Sequence, residues 1–188
     1  MNIFALHPNP EIAAKMLCNR HAVKMPTESA GMLSFAFPEG STPIKNERSN
    51  RHYLHPASKW TRSSRENFNW LLEHFKYQLL EYKTRYKREH KYQYLYDWFA
   101  SNAVELKFEN SGLEPFNRCF SDKADIVNSK YTGKTMKDSI MAYRLFYYLD
   151  KKDFAKWPSL DHVPVWWPQK SEIFIDKSFK NGYYTKRK

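Results

Sequence analysis

The stretch Cys18-Asn-Arg-His21-Ala-Val-Lys24-Met-Pro-Thr-Glu28 gathers a thiol, an imidazole, an amine and a carboxylate. On a helix, His21 and Lys24 stand three apart and Lys24 and Glu28 four apart, so all three share one face. A lysine near other cations or in an apolar pocket loses affinity for its proton, and its free amine can attack carbon. His21 and Glu28 are then the candidate acid and base. The plain alternative is a surface lysine beside a core histidine bonded to backbone. Cys18-x-x-His21 also has a ligand-like spacing that His7, His52 or His55 could complete. No second paired motif accompanies it, so no metal is expected.

A second group runs from His52 to Asn67 and mixes cations with rings. Arg62, Arg65 and Asn67 surround a helix start, where phosphates also bind. Trp60 is the candidate stacking platform for an unpaired base, and His55 stands beside it. The alternative makes Trp60 a core plug and the arginines solvated. Further on, Lys83, Arg85, Lys87, Arg88 and Lys91 alternate with Tyr82, Tyr86 and Tyr92. Such a run tracks a phosphate backbone, with Lys87 and Arg88 as its leading contacts, or it is the wet side of a helix. Arg144 and Lys156 are candidates for a further wall. No Gly-rich phosphate loop occurs, so triphosphate chemistry is disfavoured and no cofactor is expected.

The whole chain carries the same sign. Its 188 residues hold 31 Lys and Arg against 20 Asp and Glu, a net charge of +11. A field of that sign attracts polyanions, and nucleic acid is the commonest of them. DNA is therefore the expected partner. No basic amphipathic helix or long apolar span points to a membrane, and nothing in the sequence indicates a protein partner. Cys18 and Cys119 make no disulfide framework, which with the absence of a signal-peptide pattern favours the cytoplasm.

Large rings must build the core, because 13 Tyr, 13 Phe and 6 Trp stand against 5 Gly. Ile3 to Leu6 reads as an extended segment, followed by a helix with Pro10 in its first turn. Pro26 should interrupt and open another helix carrying Met32, Leu33, Ala36 and Phe37. Residues 38–59 read as a long loop. Ser63 and Glu66 fit a capping box for a helix reaching Arg88, with Phe68, Leu71, Leu72, Phe75 and Leu79 inward. A ring-rich helix from Tyr92 to Ala100, a mostly looped 110–133 and a helix from Lys134 to Leu149 complete the expectation. The fold class is mainly α: a compact, single helical domain over 1–170 with long loops, and a basic tail over 171–188.

Two resemblances add to this reading. Cys18 to Met25, His55-Pro56, Trp60 with Arg62 and Ser64, Glu66-Asn67, Trp70-Leu71, Ala142-Tyr-Arg144, Phe154 to Trp157 and Pro164-Val-Trp166 resemble a family of small tailed-bacteriophage proteins of unassigned activity. More distantly, Pro10 to Ala13, Met16-Leu17, Met25-Pro26, Arg65 to Arg88 and Val163 to Trp167 are similar to pyrimidine-dimer DNA glycosylases of the phage endonuclease V type. That resemblance implies an endonuclease V-like helical fold, extrusion of a nucleotide, and attack on its sugar by an N-terminal amine assisted by a glutamate. The chain departs from the pattern: bulky Asn2 favours retention of Met1, displacing the amine. Lys24 stands where the helper glutamate belongs and Thr27 where a basic residue belongs, with Glu28 one turn on.

The expected function is glycosylase- or lyase-like chemistry on an extruded nucleotide, with Lys24 or the Met1 amine as nucleophile. The alternatives are a non-catalytic nucleic-acid binder, one that blocks a host defence included, and a transferase modifying a base or nucleotide. A phage origin would place the protein in the bacterial host cytoplasm.

Overall fold

In the computed structural model, residues 1–121, 124–168, 174–176, 178–180 and 183–184 are described. The helices are α1 (Pro10–Lys15), α2 (Asn19–Ser34), α3 (Pro56–Thr61), α4 (Arg65–Tyr86), α5 (Gln93–Asn102), α6 (Ala124–Lys130) and α7 (Met136–Lys151). Two residue pairs, Phe179–Lys180 and Tyr183–Tyr184, form a short antiparallel ladder. The domain is mainly helical, and no described helix is long and apolar enough to cross a membrane.

Helix α4 is the spine, because its inward stripe is the longest run of helically spaced apolar residues. Phe68, Leu71, Phe75 and Leu79 are buried along it, and α1 and α2 both lie against it. Asn9 caps α1 by accepting from the Ile12 amide at 3.1 Å, and Pro10 occupies the first turn.

Pro26 does not open a new helix; α2 runs through it. An internal proline costs about 3 kcal/mol in lost hydrogen bonding and clash. Met25, Met32 and Leu33 are fully buried on either side of it, and each contributes about 1.5–3 kcal/mol. Continuity therefore wins.

The cap of α4 also differs by one residue from the expected box. Ser64, not Ser63, accepts from the Asn67 amide at 3.1 Å. Glu66 turns outward to accept from the Gly112 amide at 2.9 Å. The cause is tertiary, since residues 110–114 fold back onto the helix start and take the partners that a free helix end would use. Helix α7 keeps a reciprocal box between Thr135 and Asp138.

The long loop after α2 is ordered. Asn46 is buried and donates to the Ser34 and Pro38 carbonyls at 3.0 and 2.8 Å. Arg48 donates to the Phe35 and Phe37 carbonyls, both at 3.1 Å, satisfying the end of α2.

The C-terminal aromatic strip closes the core. Trp157 is buried, donates from Nε1 to the Met16 carbonyl at 3.1 Å, and meets Trp167 edge-on. Its backbone pairs with residues 174–176. Phe174 and Phe179 are buried, so the expected tail is seated on the domain wherever its side chains are described. The other positions of 171–188 lie outside the described residues.

Candidate functional site

Helix α2 presents His21, Lys24 and Glu28 to one cavity of about 470 Å³, as the three- and four-residue spacing requires. The chain start, His55 and Pro56 at the head of α3, residues 118–121 and the end of α7 complete the walls. Glu28 is the one carboxylate among the described lining residues. Its side chain is 13% exposed, and Oε1 lies 2.8 Å from Lys24 Nζ. Oε2 accepts from the Asn2 amide at 2.6 Å and stands 3.9 Å from the Met1 α-amine.

The Met1 residue is held at the cavity by its side chain and by its neighbour. The Met1 thioether accepts from Ser58 Oγ at 3.3 Å and lies near Gly31, so the side chain has a seat between α2 and α3. Asn2 anchors the segment by donating to the Cys119 carbonyl at 2.6 Å and accepting from the Phe4 amide at 3.0 Å. Phe4 has φ +49°, a left-handed conformation that is strained for an aromatic residue. That turn lays its ring on His21, with centroids 4.6 Å apart and planes 17° from parallel.

His21 is buried, and its Nδ1 lies 2.7 Å from the Tyr147 hydroxyl. That hydroxyl also accepts from the Cys18 amide at 3.0 Å. Burial, followed by the charges of Lys151, Lys24 and Arg20, pushes the His21 pKa down to about 3. The acid role expected of His21 is corrected accordingly: near neutrality it is a neutral hydrogen-bonding and stacking group, with no imidazolium proton to give. His55 caps α3 by accepting from the Ala57 amide at Nδ1, 3.2 Å away. Its pKa is lowered by burial first and by the Met1 amine next. Burial raises the Cys18 thiol, leaving it a poor nucleophile. Among the described residues no three His, Cys, Asp or Glu could hold a metal.

No family model, curated protein or solved structure matches this chain. Roles for its residues therefore rest on geometry.

That geometry divides the expected residues. His21, Lys24, Glu28 and His55 converge, whereas the second group braces the fold. Trp60 is 2% exposed, packs on Phe116 and Trp70, and donates to the Glu114 carbonyl at 3.2 Å. A base cannot stack on a ring already covered, so Trp60 is a core residue. Asn67 is buried and spends its amide on the Trp60 carbonyl and Glu114. Arg65 donates to the Ala103 and Leu106 carbonyls at 3.1 and 2.6 Å, and Arg62 to the Tyr53 carbonyl at 2.7 Å. Arg144 donates to the Leu6 carbonyl at 2.9 Å and lies over Trp166, holding the segment that carries Phe4. Lys87, Arg88 and Lys156 are exposed and do not line the cavity.

Sequence reasoning missed Lys151, Asn2 and Phe4. Lys151 lines the cavity with Nζ 5.5–5.8 Å from the Phe4, Phe146 and Phe154 rings and paired with Asp150. Lys-Lys-Asp at a helix end is an ordinary pattern, and no spacing rule joins it to residues near the chain start.

Buried neutral histidines also set an acid limit on stability. His74 donates from Nδ1 to the Pro10 carbonyl at 2.9 Å, and burial lowers its pKa to about 4. Both His74 and His21 take protons more readily when unfolded, where the pKa is about 6.5. Stability is thus complete above about pH 6.5 and falls as pH drops toward the folded values. The expected loss by pH 4 is about 3 kcal/mol for each histidine. Urea unfolding at pH 7 and pH 4 measures it, and an unchanged midpoint would contradict buried neutral rings.

Proposed function

We propose that this protein acts on DNA, drawing one nucleotide from the stack into the cavity and attacking its sugar with an amine. The observation that carries the reading is the Glu28 carboxylate set between two amines, Lys24 Nζ and the Met1 α-amine, in a cavity. A volume of about 470 Å³ lies in the range of pockets that enclose a small ligand. The net charge of +11 supplies attraction to the phosphate backbone. Both features suit the phage endonuclease V type of glycosylase that the sequence resembles, and an endonuclease V-like fold belongs to the same proposal.

The chemistry balances on the residues present. The amine lone pair adds to C1′ as the bond to the base breaks, and opening of the C1′–O4′ bond then leaves a C1′ imine. At an abasic sugar the amine adds to the C1′ aldehyde and water departs to give the same imine, which borohydride reduces. Glu28 accepts the proton that the nitrogen sheds and can return it to the departing group. Extrusion is required because C1′ is not open to such an attack inside a duplex. His21 and Phe4, packed on each other, form a buried apolar side of the cavity, and Lys151 brings positive charge to it.

Borohydride trapping on an abasic duplex tests this reading. The expected product is a covalent protein–DNA adduct that maps to Lys24 or Met1. Absence of any adduct removes the amine mechanism, and an undiminished adduct in Lys24→Ala assigns the attack to residue 1.

A non-catalytic binder is the second reading, favoured by the exposed Lys87, Arg88 and Lys91 just after the end of α4. In that case DNA affinity is salt-sensitive without turnover. Lys87→Ala and Arg88→Ala should each lower the slope of log affinity against log salt by about 1. An unchanged slope in both variants would take these residues out of the interface.

A further inference from the structure

Leu54 is 62% exposed at the tip of the turn that leads into α3. A lone exposed leucine is ordinary on a protein surface. Its position distinguishes this one. The next residue, His55, lines the cavity that holds the two amines. Val104 and Val165 are more exposed, but neither is next in the chain to a residue that lines that cavity.

The turn is held rigidly. Tyr53 lies between two guanidinium groups, 4.4 Å from Arg48 and 3.9 Å from Arg62. Arg62 also grips the Tyr53 carbonyl at 2.7 Å, and Asn50 accepts from the His52 and Tyr53 amides at 2.9 and 2.8 Å. Fixing this backbone holds an aliphatic side chain mostly in solvent in the free protein. With Arg48 and Arg62 engaged in holding the turn, the exposed charges over residues 38–62 are Lys45, Arg51 and Lys59 against Glu39 and Glu47.

A nucleotide drawn into a pocket leaves a gap in the stack, and unstacked steps cost a few kcal/mol unless something apolar fills them. We infer that Leu54 is the wedge of this protein, entering duplex DNA beside the nucleotide that the cavity takes up. The inference rests on the function proposed above, with duplex DNA as the partner and the flanking cations on its phosphates. An apolar side chain on a stiff turn suits insertion, because little freedom is lost when it enters.

Leu54→Ala and Leu54→Phe test it in two assays. The first is borohydride trapping on an abasic site in duplex and in single-stranded DNA. The second uses an unreactive tetrahydrofuran site in duplex with 2-aminopurine as its neighbour. Leu54→Ala should trap about ten- to a hundredfold more slowly on the duplex and unchanged on the single strand, which has no stack to fill. It should also lose the 2-aminopurine fluorescence change that the parent protein produces, while Leu54→Phe keeps both. Equal duplex trapping by Leu54→Ala and the parent, or an equal slowing on both substrates, overturns the wedge and leaves the amine chemistry standing. No adduct from the parent, together with a Leu54-dependent fluorescence change, overturns the chemistry and leaves the wedge. No fluorescence change from the parent removes the wedge whatever the chemistry does.

Discussion

Glu28→Gln is expected to slow formation of the trapped adduct on abasic DNA by about 10²- to 10⁴-fold, the usual contribution of a positioned proton acceptor. The substitution preserves shape and one oxygen, which can still accept from the Asn2 amide that Glu28 now holds at 2.6 Å. Lost are the negative charge and the capacity to take a proton from either amine. Folding should change little, because the Lys24 partner is 67% exposed and such pairs contribute about 0–1 kcal/mol. A variant that unfolds like the parent yet traps slowly places Glu28 in the chemistry. Undiminished trapping would show that the carboxylate merely anchors the chain start. Glu28→Asp keeps the charge on a shorter arm and should fall between the two, since a displaced base works at reduced rate.

Arg85→Met should cost about 3–5 kcal/mol of stability, the penalty for stripping one partner from a buried pair. Arg85 has 0% side-chain exposure and lies 2.8 Å from Glu81. It also donates to the Leu17 carbonyl at 2.8 Å, the Lys15 carbonyl at 3.1 Å and Asn19 Oδ1 at 3.2 Å. One guanidinium therefore fastens the turn between α1 and α2 to α4. Methionine fills much of the space but leaves those acceptors and a carboxylate without partners. Lysine should rescue little, because a single ammonium cannot reach so spread a set. Total stabilities of domains this size run about 5–15 kcal/mol, so the loss is a large part of the whole. Chemical denaturation reads it directly. A change under 1 kcal/mol would mean that water replaces the guanidinium without penalty.

The same residue shows where sequence reasoning stops. Arg85 sits in a run of cations that looks like a solvated helix face, and four of its five members are exposed. Nothing in local spacing tells that the turn before α2 presents carbonyls to this one position. Arg65, Asn67 and Trp60 went astray for a related reason. Cations and a ring at a helix start have the chemistry of a phosphate and base site, yet residues 103–114 fold back and consume their donors. The helical stripe of α4 and the α7 segment were legible, because apolar period acts within a few residues. The passage of α2 through Pro26 was not, because burial against α4 outweighs a local penalty.

By itself the sequence determined that the chain is helical and basic and that its core is built from rings. It also placed His21, Lys24 and Glu28 on one face, since helix spacing is a local property. Only the tertiary structure decided that the Met1 amine, Phe4, His55 and Lys151 join them around a cavity, while the arginines and Trp60 of the second group do not. Those meetings link residues far apart along the chain, where periodicity carries no information. Packing and the pairing of buried polar groups choose among them.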